Sequence, residues 1–408
     1  MRRVSLFAVA LVTLVMLGAG GASAQSSAWG STNGVVVFRS DRDGEPDVFT
    51  LDPSTSSVTN LTSGSGAAEL QPAWSPEGER IAYVRRAGIA GRADLFVMNP
   101  SGGGRTRLTS TPVPERDPSW SPNGTQIVYS ARTQPGGPFR IFVAKAHGSG
   151  REQLTTQSAG SADRSPVWSP DATRIAFVSN RDGGFPELYL MFADGTGVVR
   201  LTTNSFIDAN PSWSPDGTRL VFERCCENGT SDLFTIDVAT RAEVNLTPSS
   251  TQQDFDPVWS PDGTRIAFVS FEVGQGNLDI WAMNADGTAP VRLTQEAGPD
   301  LSPDWQPLPV CTNNGSDQGD DLTGTDGNDV ICAGDGNDHV GAGDGDDLVF
   351  GGGGSDVLEG QEGADVVLGD RGDDTLMGGP GYDVLDGGGG TDSCNRGADG
   401  ASLRLCEL

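Results

Sequence analysis

The sequence predicts an all-β protein of two repeat domains: a ring of six four-stranded blades closed by its own N- and C-terminal strands, then a C-terminal parallel roll. Three observations carry that expectation. Six tryptophans, Trp74, Trp120, Trp168, Trp213, Trp259 and Trp305, recur at spacings of 45 to 48 residues. Eight nonapeptides run without a gap from Gly324 to Asn395. Between the two series the composition breaks. Of 408 residues with net charge −28, the 98 from Cys311 onward hold 22 acidic and three basic side chains and 26 of the 57 glycines.

The charge also excludes partners. A nucleic-acid binder needs a basic footprint to displace counterions, and the same balance argues against docking on anionic lipid. Lys145 is the only lysine. With only His147 and His339 in the chain, there are too few imidazoles for a histidine-rich metal centre and a poor basis for a Ser-His-Asp hydrolase.

The first element is a targeting segment. Arg2 and Arg3 precede an apolar run from Leu6 to Leu17 and the small residues Ala22-Ser23-Ala24. This is the pattern of a cleaved export signal, residues 1–24, with Gln25 first in the mature chain. A membrane span needs about 20 apolar residues, and no stretch reaches that. No cysteine follows the cut to take a lipid.

Each tryptophan sits in a block such as Pro211-Ser-Trp213-Ser-Pro-Asp-Gly217. The Pro-x-Trp-Ser stretch reads as a short first strand, with proline at its start where no ladder donor is lost. Pro-Asp-Gly makes a tight turn. The β-branched and aromatic runs that follow, with Phe96, Phe142, Tyr189, Phe234 and Trp281 in the third strands, close on Leu-Thr pairs such as Leu201-Thr202. A unit this small cannot bury its own face, so the units must stack, and four strands per 45 residues indicate a β-propeller. The first unit, with Val35-Val-Val-Phe38 and Val48-Phe-Thr-Leu51, lacks a Pro-x-Trp strand, while Pro303-Asp304-Trp305 stands alone at the end of the repeats. The orphan is expected to complete the first blade and leave no open sheet edge.

These residues resemble the TolB-like propeller family. Trp213-Ser-Pro-Asp-Gly217 and Trp259-Ser-Pro-Asp-Gly263 match its signature, and Phe38-Arg-Ser-Asp-Arg-Asp-Gly44 and Val178-Ser-Asn-Arg-Asp-Gly183 fit its link between second and third strands. The resemblance covers residues 31–307 and implies the fold; propellers host many functions. The N-terminal α/β domain of TolB itself has no counterpart between the export signal and the first blade, so a Tol-Pal role is not expected.

Five residues before each tryptophan stands a carboxylate: Glu69, Glu115, Asp163, Asp208, Asp254 and Asp300. The position falls in the loop leading into the innermost strand, at one mouth of the channel. Two readings stay open. The carboxylates cap the turn by accepting backbone N–H groups, or the ring concentrates cations or a basic partner.

In the nonapeptides the fourth position is Gly327, Gly336, Gly345, Gly354, Gly363, Gly372, Gly381 and Gly390. The sixth is Asp329, Asp338, Asp347, Asp356, Asp365, Asp374, Asp383 and Asp392, and the eighth is apolar or Cys394. This matches the RTX, or hemolysin-type, calcium-binding repeat GGxGxDxUx, a parallel β-roll. Glycines allow tight turns whose carbonyls face the ion, aspartate supplies hard carboxylate oxygen, and the eighth position fills a narrow core. In that family the turns on one edge of the roll share ions, so several Ca²⁺ are expected. Ala333 and Ala342 replace the first glycine and Gln361 and Asp370 the second, and Gly315 to Thr323 reads as a degenerate leading repeat. Without calcium, carboxylate repulsion and glycine entropy should keep the segment unfolded.

Export makes the cysteines disulfide candidates. Pairing Cys311 with Cys332 and Cys394 with Cys406 would clamp both ends of the roll, although six cysteines permit 15 connectivities; Cys225 and Cys226 are adjacent and are left unassigned. The expected organisation is residues 1–24 export signal, 31–307 propeller, 308–323 linker and degenerate repeat, 324–395 roll and 396–408 tail. The function expected is that of a secreted, non-enzymatic calcium-binding protein whose propeller holds a protein or glycan. The alternatives are a carbohydrate-active or other channel enzyme and a structural envelope or matrix protein. No G-x-S-x-G elbow occurs, and both histidines read as solvated bystanders. Oligomeric state is not legible.

Overall fold

The computed structural model describes residues 31–88, 92–156, 160–227, 230–248, 252–271, 277–395, 403–404 and 406. The export signal expected over residues 1–24 lies outside them. The described residues form strands, turns and loops without a helix, so none is long and apolar enough to cross a membrane.

Six sheets of four strands make the propeller, blades 1 to 6 in chain order from the one that holds Ser31–Ser40. In blade 5 the order from the channel outward is Ile207–Trp213, Arg219–Glu227, Thr230–Asp237 and Glu243–Asn245, each antiparallel to the next. The signature turn is held locally. Gly217 N–H donates to the Ser214 carbonyl at 2.8 Å with its φ at +66°, a region glycine enters at no steric cost. Asp216 accepts the Ser214 hydroxyl at 2.6 Å and the N–H and hydroxyl of Thr218. The closing threonines also have a role. The Thr202 hydroxyl accepts Leu188 N–H at 3.0 Å, and Thr62, Thr109, Thr155, Thr247 and Thr294 do the same for Val48, Leu95, Ile141, Leu233 and Ile280.

The tryptophans join blades. Trp213 packs among Ala176, Val178, Leu188 and Leu190 of blade 4 and Leu220, Phe222, Phe234 and Ile236 of its own blade. Its indole N–H reaches the Val167 carbonyl of blade 4 at 3.3 Å.

Ring closure occurs as expected. Ser31–Ser40 pairs antiparallel with Asp300–Pro309, with Val36 opposite Trp305 and Ser40 opposite Asp300, so the first blade takes its innermost strand from the end of the repeats.

The C-terminal region is a parallel solenoid of two sheets. One contains Val330–Asp335, Leu348–Gly353, Val366–Leu368 and Val384–Asp386, the other His339–Asp344, Val357–Glu362, Thr375–Met377 and Ser393–Asn395. Pairing Val330 with Leu348 and His339 with Val357 means that each turn takes two nonapeptides, 18 residues. Ile331, Val340, Val349, Leu358, Val367, Leu376 and Leu385, the eighth positions, form the core with Ala333 and Ala342. Flanking segments join the same sheets: Asn313–Asn314 and Asp321–Thr323 before the eight repeats, Leu403–Arg404 after them. Disulfides link Cys311 to Cys332 and Cys394 to Cys406, with Cα separations of 5.9 and 6.1 Å. Cys225 is also disulfide-bonded.

The roll rests on the turn side of blades 2 to 4, near Glu79 of blade 2 and Ala172 of blade 4. Lys145 Nζ lies 3.9 Å from the Tyr382 ring centroid. A cavity of about 380 Å³ is shared by Ser121, Asn123, Lys145 and His147 of the propeller and Ala364, Tyr382 and Val384 of the roll.

Candidate functional site

The roll turns are built on one repeated bond. Oδ1 of six sixth-position aspartates accepts the N–H of the aspartate one turn earlier: Asp347 from Asp329 at 2.8 Å, Asp356 from Asp338, Asp365 from Asp347 and Asp374 from Asp356 at 2.9 Å, Asp383 from Asp365 at 3.2 Å, Asp392 from Asp374 at 3.0 Å. Asp320, in the leading segment, joins the same ladder by donating its N–H to Asp338. The eight aspartates are all buried.

The second oxygen has no such partner in five of them. Oδ2 of Asp338, Asp347, Asp356, Asp365 and Asp374 is buried and accepts no hydrogen bond. Burial, and after it neighbouring aspartates, pushes Asp347 up to about 7, Asp365 to about 8 and Asp374 to about 6. In front of Asp356, Asp365 and Asp374 the space is kept open by the first-position glycine: a Cβ on Gly351 would lie 2.7 Å from Asp356 Oδ2 and 2.8 Å from the Gly369 carbonyl oxygen. Gly360 and Gly369 stand in the same relation to Asp365 and Asp374 and to the carbonyls of Gly378 and Gly387. A carboxylate oxygen and a carbonyl oxygen, neither a donor, thus converge on one small space. Such an arrangement suits a hard cation that takes oxygen ligands.

The fourth-position glycines are required by backbone. Gly336, Gly345, Gly354, Gly363, Gly372, Gly381 and Gly390 have φ between +117° and +154°, while Gly327 at the head of the roll does not share this conformation. Gln361 and Asp370 adopt φ of +74° and +67° at the second position despite their side chains. Among the described residues no three His, Cys, Asp or Glu side chains converge on one point.

The six channel-mouth candidates lie inside the blades. Glu69, Glu115, Asp163, Asp208, Asp254 and Asp300 are all buried and held by their surroundings. Arg85 and Ser65 bind Glu69, Thr109 and Thr111 bind Glu115, Ser179 and Arg181 bind Asp163. Arg224 binds Asp208, Ser270 binds Asp254 and Arg42 binds Asp300. Burial pushes Glu69 and Glu115 above the usual carboxylate range.

The channel wall comes from residues two positions later, which sequence reasoning missed. Gln71, Asp117, Ser165, Asn210, Asp256 and Ser302 each sit before a proline with φ between +46° and +53°, at a bulge in the innermost strand. They line a cavity of about 400 Å³ that continues to Pro76, Pro122, Pro170 and their equivalents in the turns. The ring is linked side to side. Gln71 donates its amide to Asp117, and Ser165 N–H donates to Asp117 Oδ2 at 3.2 Å. The Ser165 hydroxyl donates to Asn210 at 3.1 Å, the Asn210 amide to Asp256 at 2.6 Å and the Ser302 hydroxyl to Asp256 at 3.4 Å. Behind the ring, Glu223 accepts Asp256 N–H at 2.9 Å, and burial together with the Asp256 charge raises its carboxyl. A polar residue before proline in all six units was the available signal.

Both histidine side chains are exposed. His147 Nε2 is 2.6 Å from the Ser149 hydroxyl, and His339 Nδ1 is 3.0 Å from Asp321.

A family model for the TolB beta propeller domain matches residues 9–164 and 140–239. A model for the RTX calcium-binding nonapeptide repeat (4 copies) matches 314–349, 341–376 and 368–400. The chain is similar to the Tol-Pal system protein TolB of Francisella tularensis subsp. mediasiatica (strain FSC147), 30% identical over 81 residues, 20% of this chain and only 18% of that protein. In structure it is similar to TolB from Acinetobacter baumannii, with a TM-score of 0.57 and 23% identity over 67% of this chain and 66% of that one. The putative TolB from Agrobacterium tumefaciens gives 0.52 and 19%, over 68% and 91%. At these identities the structures speak for the fold alone.

Proposed function

This chain belongs to the TolB beta propeller family and ends in RTX calcium-binding repeats, and on that premise we propose an exported, non-enzymatic protein whose roll is folded by extracellular calcium and whose propeller holds a protein ligand. The observation that carries the calcium reading is the row of buried, unpartnered Oδ2 atoms on Asp338, Asp347, Asp356, Asp365 and Asp374. A bound Ca²⁺ would supply the positive charge that their burial demands. These aspartates, with the carbonyls of first-position residues such as Gly369, Gly378 and Gly387, are the proposed ligands. Asp329, Asp383 and Asp392 extend the same rows, and the fourth-position glycines set the turns.

Export is supported by the Ala22-Ser23-Ala24 pattern and by the disulfides at both ends of the roll. For the propeller, a linked polar ring over a cavity suits recognition. The six candidate carboxylates are proposed as structural, since each is held by donors of the propeller itself.

Isothermal titration of EDTA-stripped full-length protein with CaCl₂ tests the reading. Saturable uptake in the range of about 10⁻⁴ to 10⁻³ M is expected, with fewer ions bound by Asp356→Ala and Asp365→Ala. Uptake that is absent at about 10 mM, or unchanged in both variants, would overturn it.

A further inference from the structure

Blades 3 and 4 bring three arginines around one ring. Arg116 on the innermost strand Glu115–Trp120, Arg132 at the end of Gln126–Arg132 and Arg164 on Asp163–Trp168 place their guanidinium carbons 5.1, 4.9 and 4.8 Å from the centroid of Phe139. Phe139 is buried, whereas Arg116 and Arg164 are exposed.

Elsewhere this acidic chain neutralises many arginines individually: Arg42 with Asp300, Arg80 with Glu77, Arg181 with Asp163, Arg224 with Asp208. Among the described residues, no carboxylate lies within ion-pairing distance of Arg116, Arg132 or Arg164. Arg132 donates to the Gly137 carbonyl at 2.7 Å, and the guanidinium groups of Arg116 and Arg164 make no hydrogen bond to the described residues. Asp117 offsets part of the charge on Arg164, but its carboxylate already accepts from Gln71, Ser130 and Ser165. Burial and the charges of Arg116 and Arg132 hold Arg164 below the usual arginine range, the mark of uncompensated like charge.

Position selects the ligand. Arg116 and Arg164 immediately precede the ring residues Asp117 and Ser165, so they stand on the side of the ring away from the turns, opposite the face on which the roll rests. Guanidinium forks match planar carboxylates in a bidentate way. In an extended peptide, alternate side chains share a face at a repeat of about 7 Å, which lets successive carboxylates meet successive arginines. The net charge of the whole protein does not prevent this, because exposed charges are screened beyond about 8 Å at physiological ionic strength.

We infer that Arg116, Arg132 and Arg164, gathered around Phe139 beside the channel ring, form a binding site for an acidic peptide segment of a partner protein. This rests on the reading of the propeller as a protein-binding scaffold and names the chemistry of its partner.

Fluorescence polarisation with calcium-saturated full-length protein and fluorescein-labelled hexaglutamate tests the site. Saturable binding that weakens as salt rises is expected, with a loss of about tenfold or more in each of Arg116→Gln and Arg164→Gln. Both side chains are exposed and neither is paired with a carboxylate, so the melting temperature should not fall. Absence of binding, equal binding by the double variant, or equal binding of labelled hexaglutamine would overturn the site. Stronger competition by tetragalacturonate than by unlabelled hexaglutamate would overturn the peptide in favour of an acidic glycan. Melting the same samples with and without calcium separates the two failures: lost peptide binding with an intact calcium response refutes the arginine site alone, whereas a lost calcium response refutes the calcium reading of the roll and leaves the binding result to decide the arginine site.

Discussion

Asp208 and Asp365 are both buried carboxylates, and they are held in opposite ways. Asp208 receives two hydrogen bonds from Arg224, at 2.7 and 2.9 Å, so its charge is matched within the fold. Asp365 has one oxygen on Asp347 N–H and the other without a partner. Removing one side of a buried pair costs about 3–5 kcal/mol, so Asp208→Ala should lower propeller stability by that order in urea unfolding. Asp365→Asn should act with the other sign when calcium is absent, because it deletes an uncompensated charge: in EDTA the variant should retain more roll signal by circular dichroism than the parent protein, and calcium should then add less to it. The pH dependence follows the same logic. Asp347, Asp365 and Asp374, at about 7, 8 and 6 in the folded roll, exceed the unfolded aspartate value of about 3.9. The calcium-free folded state therefore binds more protons, and stability present near pH 4 is lost as pH rises toward 8. Circular dichroism in EDTA should record more roll structure at pH 5 than at pH 8.

At the scale of elements, side-chain alternation explains what the sequence revealed and what it hid. In a regular strand Glu115 and Asp117 would share a face. A bulge between Arg116 and Ser119 breaks the alternation, so Glu115 enters the blade while Asp117 faces the channel. Placing the repeated carboxylate at the mouth assumed an unbroken approach to the innermost strand, and only the polar residue before each proline marks the bulge. The Arg116, Arg132, Phe139 and Arg164 group was invisible for a different reason: it joins three strands of blade 3 to one of blade 4. Turns and blade strands were legible because they repeat locally, as were the nonapeptide turns. Their backbone demands are strict. Gly363 has φ of +148°, and a Cβ there would run into the Gly345 carbonyl. Gly363→Ala should abolish the calcium-induced transition of the roll, by differential scanning calorimetry, while the propeller transition stays in place. Trp213→Ala should do the reverse, costing the propeller about 3–5 kcal/mol.

At the scale of the whole molecule, two repeat stacks solve the same problem of exposed sheet edges differently. The propeller joins Ser31–Ser40 to Asp300–Pro309 and closes on itself, a pairing legible from one incomplete unit at each end. The roll cannot close, and it is clamped by Cys311–Cys332 at its head and Cys394–Cys406 at its tail. Those bonds limit the unfolded chain, but they do not neutralise a segment with 22 acidic and three basic side chains. Bound calcium is proposed to do so, and a site with free calcium at about 100 times its Kd would add about 2.7 kcal/mol to folding. Hydrogen exchange of the full-length protein, followed by mass spectrometry in EDTA and in CaCl₂, tests this most directly. The expected result is that the sixth-position amides from Asp329 to Asp374 exchange rapidly in EDTA and become protected in calcium, while strands such as Arg219–Glu227 in the propeller stay protected in both. Equal protection of the roll amides with and without calcium would contradict it.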